Sequence, residues 1–95
     1  MDYNEPVVRE IGNIIRQADE GLTRLTGAEN KFKQQHYEEF RDLREELLQI
    51  KTNAHEKLEN IAEASPDQLD GMRSDAEKYA KEYLNKVRYG LDRFE

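Results

Sequence analysis

Residues 58–72, LENIAEASPDQLDGM, decide the fold, because one helical pattern ends there and another begins. Ser65 is a residue type that caps helix starts, and Pro66 fits the first helical position, where its missing N–H costs nothing. Gln68 stands three residues after the serine, at the second position of a capping box. The stretch therefore predicts a break before residue 66 and a helix over about 66–94.

The chain before this break carries a long apolar stripe. The stripe covers 29 residues in eight steps, a mean of 3.63 per step, which matches a straight α-helix better than the roughly 3.5 of a heptad coiled coil. Its members are Phe32, His36, Phe40, Leu43, Leu47, Ile50, Ala54, Leu58 and Ile61. Neither glycine nor proline interrupts residues 28–64, so the sequence predicts a long central helix over about 28–64.

The N-terminal part of the chain carries a shorter stripe. Its apolar residues are separated alternately by three and four positions, as on one face of a helix. They are Val8, Ile11, Ile15, Ala18, Leu22 and Leu25. Because Asp2 or Asn4 is placed to cap its start, this pattern predicts a helix over about 5–25.

Two competing signals separate the first two helices. Gly27 is suited to end a helix in the left-handed conformation, whereas Thr26 and Glu29 have the spacing of a capping box that opens the next helix. Both interpretations place a break here. Gly12 and Gly21 lie inside the first helix, where each costs about 1 kcal/mol relative to alanine unless it admits a close neighbouring helix.

The three stripes predict a single all-α domain over residues 1–95. No stretch alternates between apolar and polar residues as a half-buried strand would. Both connections are short, so neighbouring helices run antiparallel. The expected fold is an elongated antiparallel three-helix bundle, a coiled-coil-like hairpin with a long central helix.

The unequal helix lengths predict where the molecule meets a partner. If the first helix folds back along the N-terminal half of the second, residues 48–78 form a bare two-helix hairpin. Leaving a Leu- or Ile-sized side chain in water forfeits about 1.5–3 kcal/mol, so a second copy or another protein is expected to cover this end. The expected contact residues are Ile50, Ala54, Leu58, Ile61, Leu69 and Met72. Exchange of the first helix between two protomers is an alternative.

The composition limits the partners. The 95 residues include 15 Lys and Arg and 21 Asp and Glu, for a net charge of −6. Phosphate backbones and anionic membrane surfaces repel such a chain, so neither nucleic acid nor a membrane is expected as a partner. There is no cysteine for a disulfide or thiolate site. No apolar run approaches the roughly 18 residues of a membrane span and no segment resembles a signal peptide, so a cytoplasmic protein is expected.

The charge is unevenly distributed between the second and third helices. Residues 32–71 carry 5 basic and 10 acidic side chains, net −5, whereas residues 72–95 carry 6 and 5, net +1. Antiparallel packing places these segments side by side. The second helix also carries an acidic row, which consists of Glu38, Glu39, Asp42, Glu45 and Glu46. This row is either a solvated face or a mimic of nucleic-acid phosphates that blocks the groove of a nucleic-acid-binding enzyme.

Tyr89 is the aromatic residue that most clearly indicates a binding surface. It falls off the apolar stripe of the third helix and stands next to Arg88. Tyrosine and arginine are enriched at protein interfaces and among their hot spots. The position predicts an exposed side chain that contacts a protein partner.

Catalytic and metal-binding patterns are weak. His55 is followed by Glu56 and Glu59, a spacing that is common by chance in a glutamate-rich chain, and His36 lies within an apolar stripe. Neither histidine follows a glutamate by three positions, as the di-iron carboxylate bundles require. A nucleophile with an adjacent base and a glycine-rich phosphate loop are both missing from the sequence. No catalytic residue, metal or cofactor is therefore predicted.

These features together predict a small non-enzymatic protein–protein interaction module. It is expected to self-associate and to present helix faces to a protein partner. The alternative is an acidic inhibitor or regulator that acts by charge mimicry, whose binding would weaken steeply with salt.

Overall fold

A computed structural model describes residues 4–27 and 34–94, with side chains described from residue 37 onward in the second segment. It contains three helices: α1 (Glu5–Gly27), α2 (Gln34–Ala62) and α3 (Pro66–Phe94). The helices pack against one another in a bundle that measures 51 × 18 × 15 Å. The prediction of an elongated, all-α three-helix fold is confirmed. The expected start of the second helix at residue 28 and the side chains of Phe32 and His36 lie outside the described residues.

The turn between α2 and α3 follows the local sequence signals. The carbonyl oxygen of Ser65 accepts the first helical bonds of α3, including one from Leu69 N at 3.0 Å. Ala64 N donates to Ile61 O at 3.1 Å, which closes the last turn of α2. The third helix therefore has its predicted bounds, while α2 ends at Ala62 rather than at residue 64.

The predicted apolar stripes form one continuous core along the bundle axis. Tyr83, Phe40 and Ile11 are its largest fully buried side chains. Such side chains each contribute about 1.5–3 kcal/mol when they leave water, so the core stabilises all three helices together. The buried members from the three helices are Val7, Ile11, Ile15, Ala18, Leu22, Leu25, Phe40, Leu43, Leu47, Ala54, Ile61, Leu69, Ala76, Ala80, Tyr83 and Val87.

The position of α1 differs from the prediction. Asn4, immediately before α1, is 8% exposed, and its amide Nδ2 donates to Ile61 O at 2.9 Å and to Ala64 O at 2.6 Å. The last carbonyls of a helix have no partner within the helix, so Asn4 satisfies the C-terminal end of α2. The start of α1 is thereby fixed beside the α2–α3 turn.

The prediction of a bare hairpin over residues 48–78 is therefore wrong. A β-carbon built on Gly12 would lie 3.9 Å from Leu58, and Arg73 pairs with Glu10, so α1 runs alongside this part of both other helices. The error arose from the register. The prediction places the end of α1 beside the start of the central helix, whereas the bonds of Asn4 place the beginning of α1 beside the α2–α3 turn.

The C-terminal end of α1 also differs from expectation. The Thr26 hydroxyl donates to Leu22 O at 3.0 Å, as a residue inside the helix does, so Thr26 does not begin a capping box. Gly27 is the last residue of α1, and none of the described glycines has a positive φ. The predicted left-handed end at Gly27 is therefore wrong.

Two glycines allow the helices to approach closely. A β-carbon on Gly21 would lie 2.6 Å from Val87 Cγ1, and one on Gly90 would lie 2.8 Å from Leu25 and 2.9 Å from Leu43. The suggestion that Gly21 admits a neighbouring helix is confirmed, because α3 occupies that space. A β-carbon on Gly71, by contrast, meets nothing within 4 Å.

Candidate functional site

The structure brings Tyr89 and part of the acidic row of α2 to one groove. The groove runs between α2 and α3 near the end of the bundle opposite the α2–α3 turn. Tyr89 is 53% exposed there, which confirms that its side chain lies off the core. The groove, which we call the Tyr89 groove, is lined by Glu39, Asp42, Leu43, Glu46, Lys86, Tyr89 and Phe94.

Two ion pairs between α2 and α3 flank Tyr89 along the groove. Lys86 Nζ lies 3.0 Å from Glu46 Oε1, one helical turn before the tyrosine. Arg93 lies one turn after it, and its Nε and Nη2 donate to the two carboxylate oxygens of Glu39 at 3.0 Å each. A bidentate arginine–carboxylate pair of this kind holds the two side chains in one orientation and is stronger than a single hydrogen bond. The ring of Tyr89 therefore lies between two ion pairs that join α2 to α3.

Aromatic rings form the end of the groove. Phe40 is fully buried and meets Phe94 edge to face, with ring centroids 5.6 Å apart. Lys86 Nζ lies 5.8 Å from the centroid of Tyr89, within the range of a cation–π contact. We call the region around Phe40, Tyr89, Gly90 and Phe94 the aromatic end and the region around the α2–α3 turn the turn end.

The acidic row of α2 is divided by these pairs. Glu39 and Glu46 point toward α3 and are paired with Arg93 and Lys86. Glu38, Asp42 and Glu45 are exposed, and Asp42 forms only a long ion pair with Arg41, at 3.9 Å. The five carboxylates therefore do not present one uniform anionic face.

The six hairpin residues predicted to contact a partner are covered to different degrees by this chain itself. Ala54, Ile61 and Leu69 are buried in the core. Ile50, Leu58 and Met72 are partly buried and pack against it. Because α1 lies over the hairpin, the physical reason for expecting a partner at this end no longer applies.

A polar cluster at mid-bundle was not foreseen. Asp19 of α1 accepts a hydrogen bond from the Tyr83 hydroxyl of α3 at 2.5 Å. His55 Nε2 of α2 lies 3.0 Å from Asp19 Oδ2, and since an ionised carboxylate only accepts, the ring nitrogen donates. One residue from each helix therefore meets at a single carboxylate. The signal in the sequence was Tyr83 itself, because a tyrosine in a core stripe requires a partner for its hydroxyl.

The cluster changes the interpretation of His55. Its ring contacts Asp19, which is 36 positions away in the sequence, rather than forming a site with Glu56 and Glu59. Within residues 4–27 and 34–94, no three His, Asp or Glu side chains are grouped so that they could hold a metal ion. Burial raises the pKa of the Tyr83 hydroxyl, and its bond to Asp19 raises this pKa further, so Tyr83 remains a donor at neutral pH.

Other exposed apolar side chains lie outside the Tyr89 groove. Tyr37 and Leu48 are 42% and 47% exposed on α2.

A second shallow depression lies on α3 and adjoins the Tyr89 groove, because Lys86 and Tyr89 line both. Its remaining lining residues are Lys78, Lys81, Glu82 and Asn85. We call the carboxylates Glu39, Asp42 and Glu46 on α2 the acidic bank of the groove, and the lysines Lys78, Lys81 and Lys86 on α3 its basic bank.

Among the described residues, no helix combines the length and the apolar character that a membrane span requires. No protein-family model, curated protein or solved structure matches the chain.

Proposed function

We propose that this protein is a small non-enzymatic interaction module that binds a protein partner through the Tyr89 groove. The observation that carries the proposal is a large aromatic side chain, 53% exposed, held between two ion pairs that join α2 and α3. Tyrosine is enriched among the few residues that dominate binding energy at interfaces. Its exposure is therefore better explained by a contact surface than by the fold.

The surroundings of Tyr89 support the same function. The ion pairs Lys86–Glu46 and Arg93–Glu39 are exposed, and pairs of this type contribute only about 0.2–1 kcal/mol each to stability. They hold the two banks at a fixed separation, so little conformational entropy is lost when a partner binds. A polar rim around a central aromatic side chain is also the usual organisation of a protein interface.

The alternative function, charge mimicry of nucleic acid, has weaker support. A mimic needs carboxylates that are available to the cationic groove of an enzyme. Glu39 and Glu46 already engage Arg93 and Lys86, so the charge of these two carboxylates is partly neutralised within the protein itself. The two functions also differ in salt dependence, since charge mimicry weakens steeply with ionic strength whereas a contact centred on an aromatic ring does not.

A photo-crosslinking experiment in the native cells tests the proposal. Tyr89 is replaced by p-benzoylphenylalanine, which keeps an aromatic ring and forms covalent adducts on irradiation. The matched control carries the same replacement at Tyr37, an exposed tyrosine outside the groove. We expect a discrete protein adduct, identified by mass spectrometry, from position 89 and not from position 37. Equal adducts from both positions, or none from position 89, would contradict the proposal.

A further inference from the structure

We propose that the partner of the Tyr89 groove is a second copy of this chain, docked about a two-fold axis that runs along the groove. This inference rests on the proposed function and identifies the partner of the same surface. The observation behind it is that one continuous surface carries an acidic bank on α2, a basic bank on α3 and an exposed aromatic ring at their junction. Such a surface is complementary to itself.

The geometry of a two-fold contact explains why the two banks matter. In an isologous interface the same patch is used twice, so residue i of one copy meets residue j of the other, and j meets i. Rotation about an axis along the groove brings the acidic bank of each copy onto the basic bank of the other. The two Tyr89 side chains then meet near the axis. Rotation about an axis across the groove would instead bring acidic bank onto acidic bank, which charge repulsion disfavours.

Specific charges are available for this contact. Asp42 has a side chain that is 74% exposed and lies 3.9 Å from Arg41, so it can still accept a stronger cationic partner. Lys86 lies on the opposite bank of the same groove; it pairs with Glu46 of its own copy, but its ammonium group has three donors and can also bond a carboxylate of the second copy. Lys78, further along α3, takes part in none of the ion pairs found between described residues. Charge complementarity of this kind determines orientation and partner choice more than affinity.

The available area indicates a weak dimer. The lining residues of the two depressions run from Lys78 to Phe94 on α3, which is about 24 Å at 1.5 Å per residue, so across the 18 Å width of the bundle the face measures at most about 430 Å² for each copy. A total of at most about 860 Å² lies in the range of weak, transient complexes. The dimer is therefore expected to be weak and to form reversibly, so its mass has to be measured up to concentrations of several hundred μM.

Analytical ultracentrifugation of the purified 95-residue chain tests dimerisation. Between about 5 and 500 μM, the weight-average mass should rise from the 11.2 kDa of one chain toward twice that value. Tyr89→Ala should keep the mass near one chain across the range, while circular dichroism shows unchanged helix content. A wild-type mass that stays at one chain throughout overturns the second-copy inference, whereas crosslinks from position 89 to a different protein would still support the proposed function.

Charge reversal tests the orientation. Asp42→Lys and Glu45→Lys change the net charge equally, but only Asp42 lines the groove. We expect Asp42→Lys to weaken the dimer at least tenfold and Glu45→Lys to weaken it less than threefold. Lys86→Glu should weaken it as Asp42→Lys does.

Mixing the two reversed variants gives the decisive result. In a two-fold heterodimer of Asp42→Lys with Lys86→Glu, position 42 of each copy faces the bank that carries position 86 of the other, about one helical turn away, and both facing pairs again have opposite charges. Two variants that are each largely monomeric should therefore dimerise when combined at equal concentration. Failure to do so, or equal weakening by Asp42→Lys and Glu45→Lys, would overturn the inference.

Discussion

The turn end and the aromatic end hold the same three helices together by different means. At the turn end, the side chain of Asn4, the residue before α1, bonds to Ile61 O in the last turn of α2 and to Ala64 O in the α2–α3 turn. At the aromatic end, glycines let the helices approach so closely that Gly21 and Gly90 leave no room for a β-carbon. Directional bonds fix the register at one end, while close packing fixes the separation at the other. At the aromatic end the large side chain of Tyr89 is left exposed beside the helix contact.

The largest effect is expected from breaking the turn end. Asn4→Ala removes the Nδ2 group and leaves Ala64 O without its bond from Asn4, while Ile61 O keeps only the bond from Ala64 N. Loss of a partner from a buried polar group costs about 1–3 kcal/mol, and we expect the free energy of unfolding to fall by that amount in urea titrations. The control is Asn13→Ala on the exposed face of α1, which should change stability by less than about 0.5 kcal/mol. Equal losses from the two variants would show that Asn4 does not fix α1.

The second prediction compares glycines from the two ends. Gly71 of α3 is exposed and nothing lies within 4 Å of its added β-carbon, so Gly71→Ala should stabilise the protein by about 1 kcal/mol through helix propensity. Gly21→Ala has the same intrinsic gain but forces a methyl group to 2.6 Å from the β-branched side chain of Val87. Overpacking costs about 1–3 kcal/mol, so the net change should be a loss of about 1 kcal/mol.

Thermal or urea unfolding of both glycine variants checks the opposite signs. If Gly21→Ala stabilises the protein as much as Gly71→Ala does, α1 and α3 can separate without cost. Close packing would then not distinguish the aromatic end from the turn end.

Features that depend on residues close together in the sequence, or on helical periodicity, could be predicted from the sequence. The bounds of α3 were predictable because Ser65 and Pro66 act within one helical turn. The exposure of Tyr89 was predictable from helical periodicity alone. The ion pairs Glu46–Lys86 and Glu39–Arg93 follow from two antiparallel helices joined by a short turn, although only the net charges of the segments were foreseen.

The register of α1 could not be predicted by the same means. Asn4 bonds to residues 57 and 60 positions away, and nothing in its local sequence distinguishes this contact from an ordinary helix cap. Local sequence patterns therefore predict α1 beside the N-terminal half of the central helix. The partner surface is then expected, wrongly, at the turn end. The cluster of Asp19, His55 and Tyr83 was missed for the same reason, because it exists only once all three helices are in register.

The smallest effect is expected midway between the two ends, where Tyr83 donates to Asp19. Burial, followed by this hydrogen bond, raises the pKa of Tyr83 in the folded protein above its unfolded value of about 10. A raised pKa means that the stabilisation is fully present below about pH 10 and is lost as the pH rises, because the unfolded chain releases the proton first. By linkage, the part of the stability that depends on Tyr83 should fall by about 0.8 kcal/mol between pH 8 and pH 10.5.

Urea titrations of the wild-type protein and Tyr83→Phe across this pH range isolate that contribution, since every other titrating group is common to both. The stability difference between the two proteins should decrease above pH 10 and remain constant below pH 9. A difference that stays constant up to pH 10.5 would show that the Tyr83 proton is no better retained in the folded bundle than in the unfolded chain. The register of the three helices at mid-bundle would then depend on apolar packing, as it does at the aromatic end, and not on a hydrogen bond of the kind that closes the turn end.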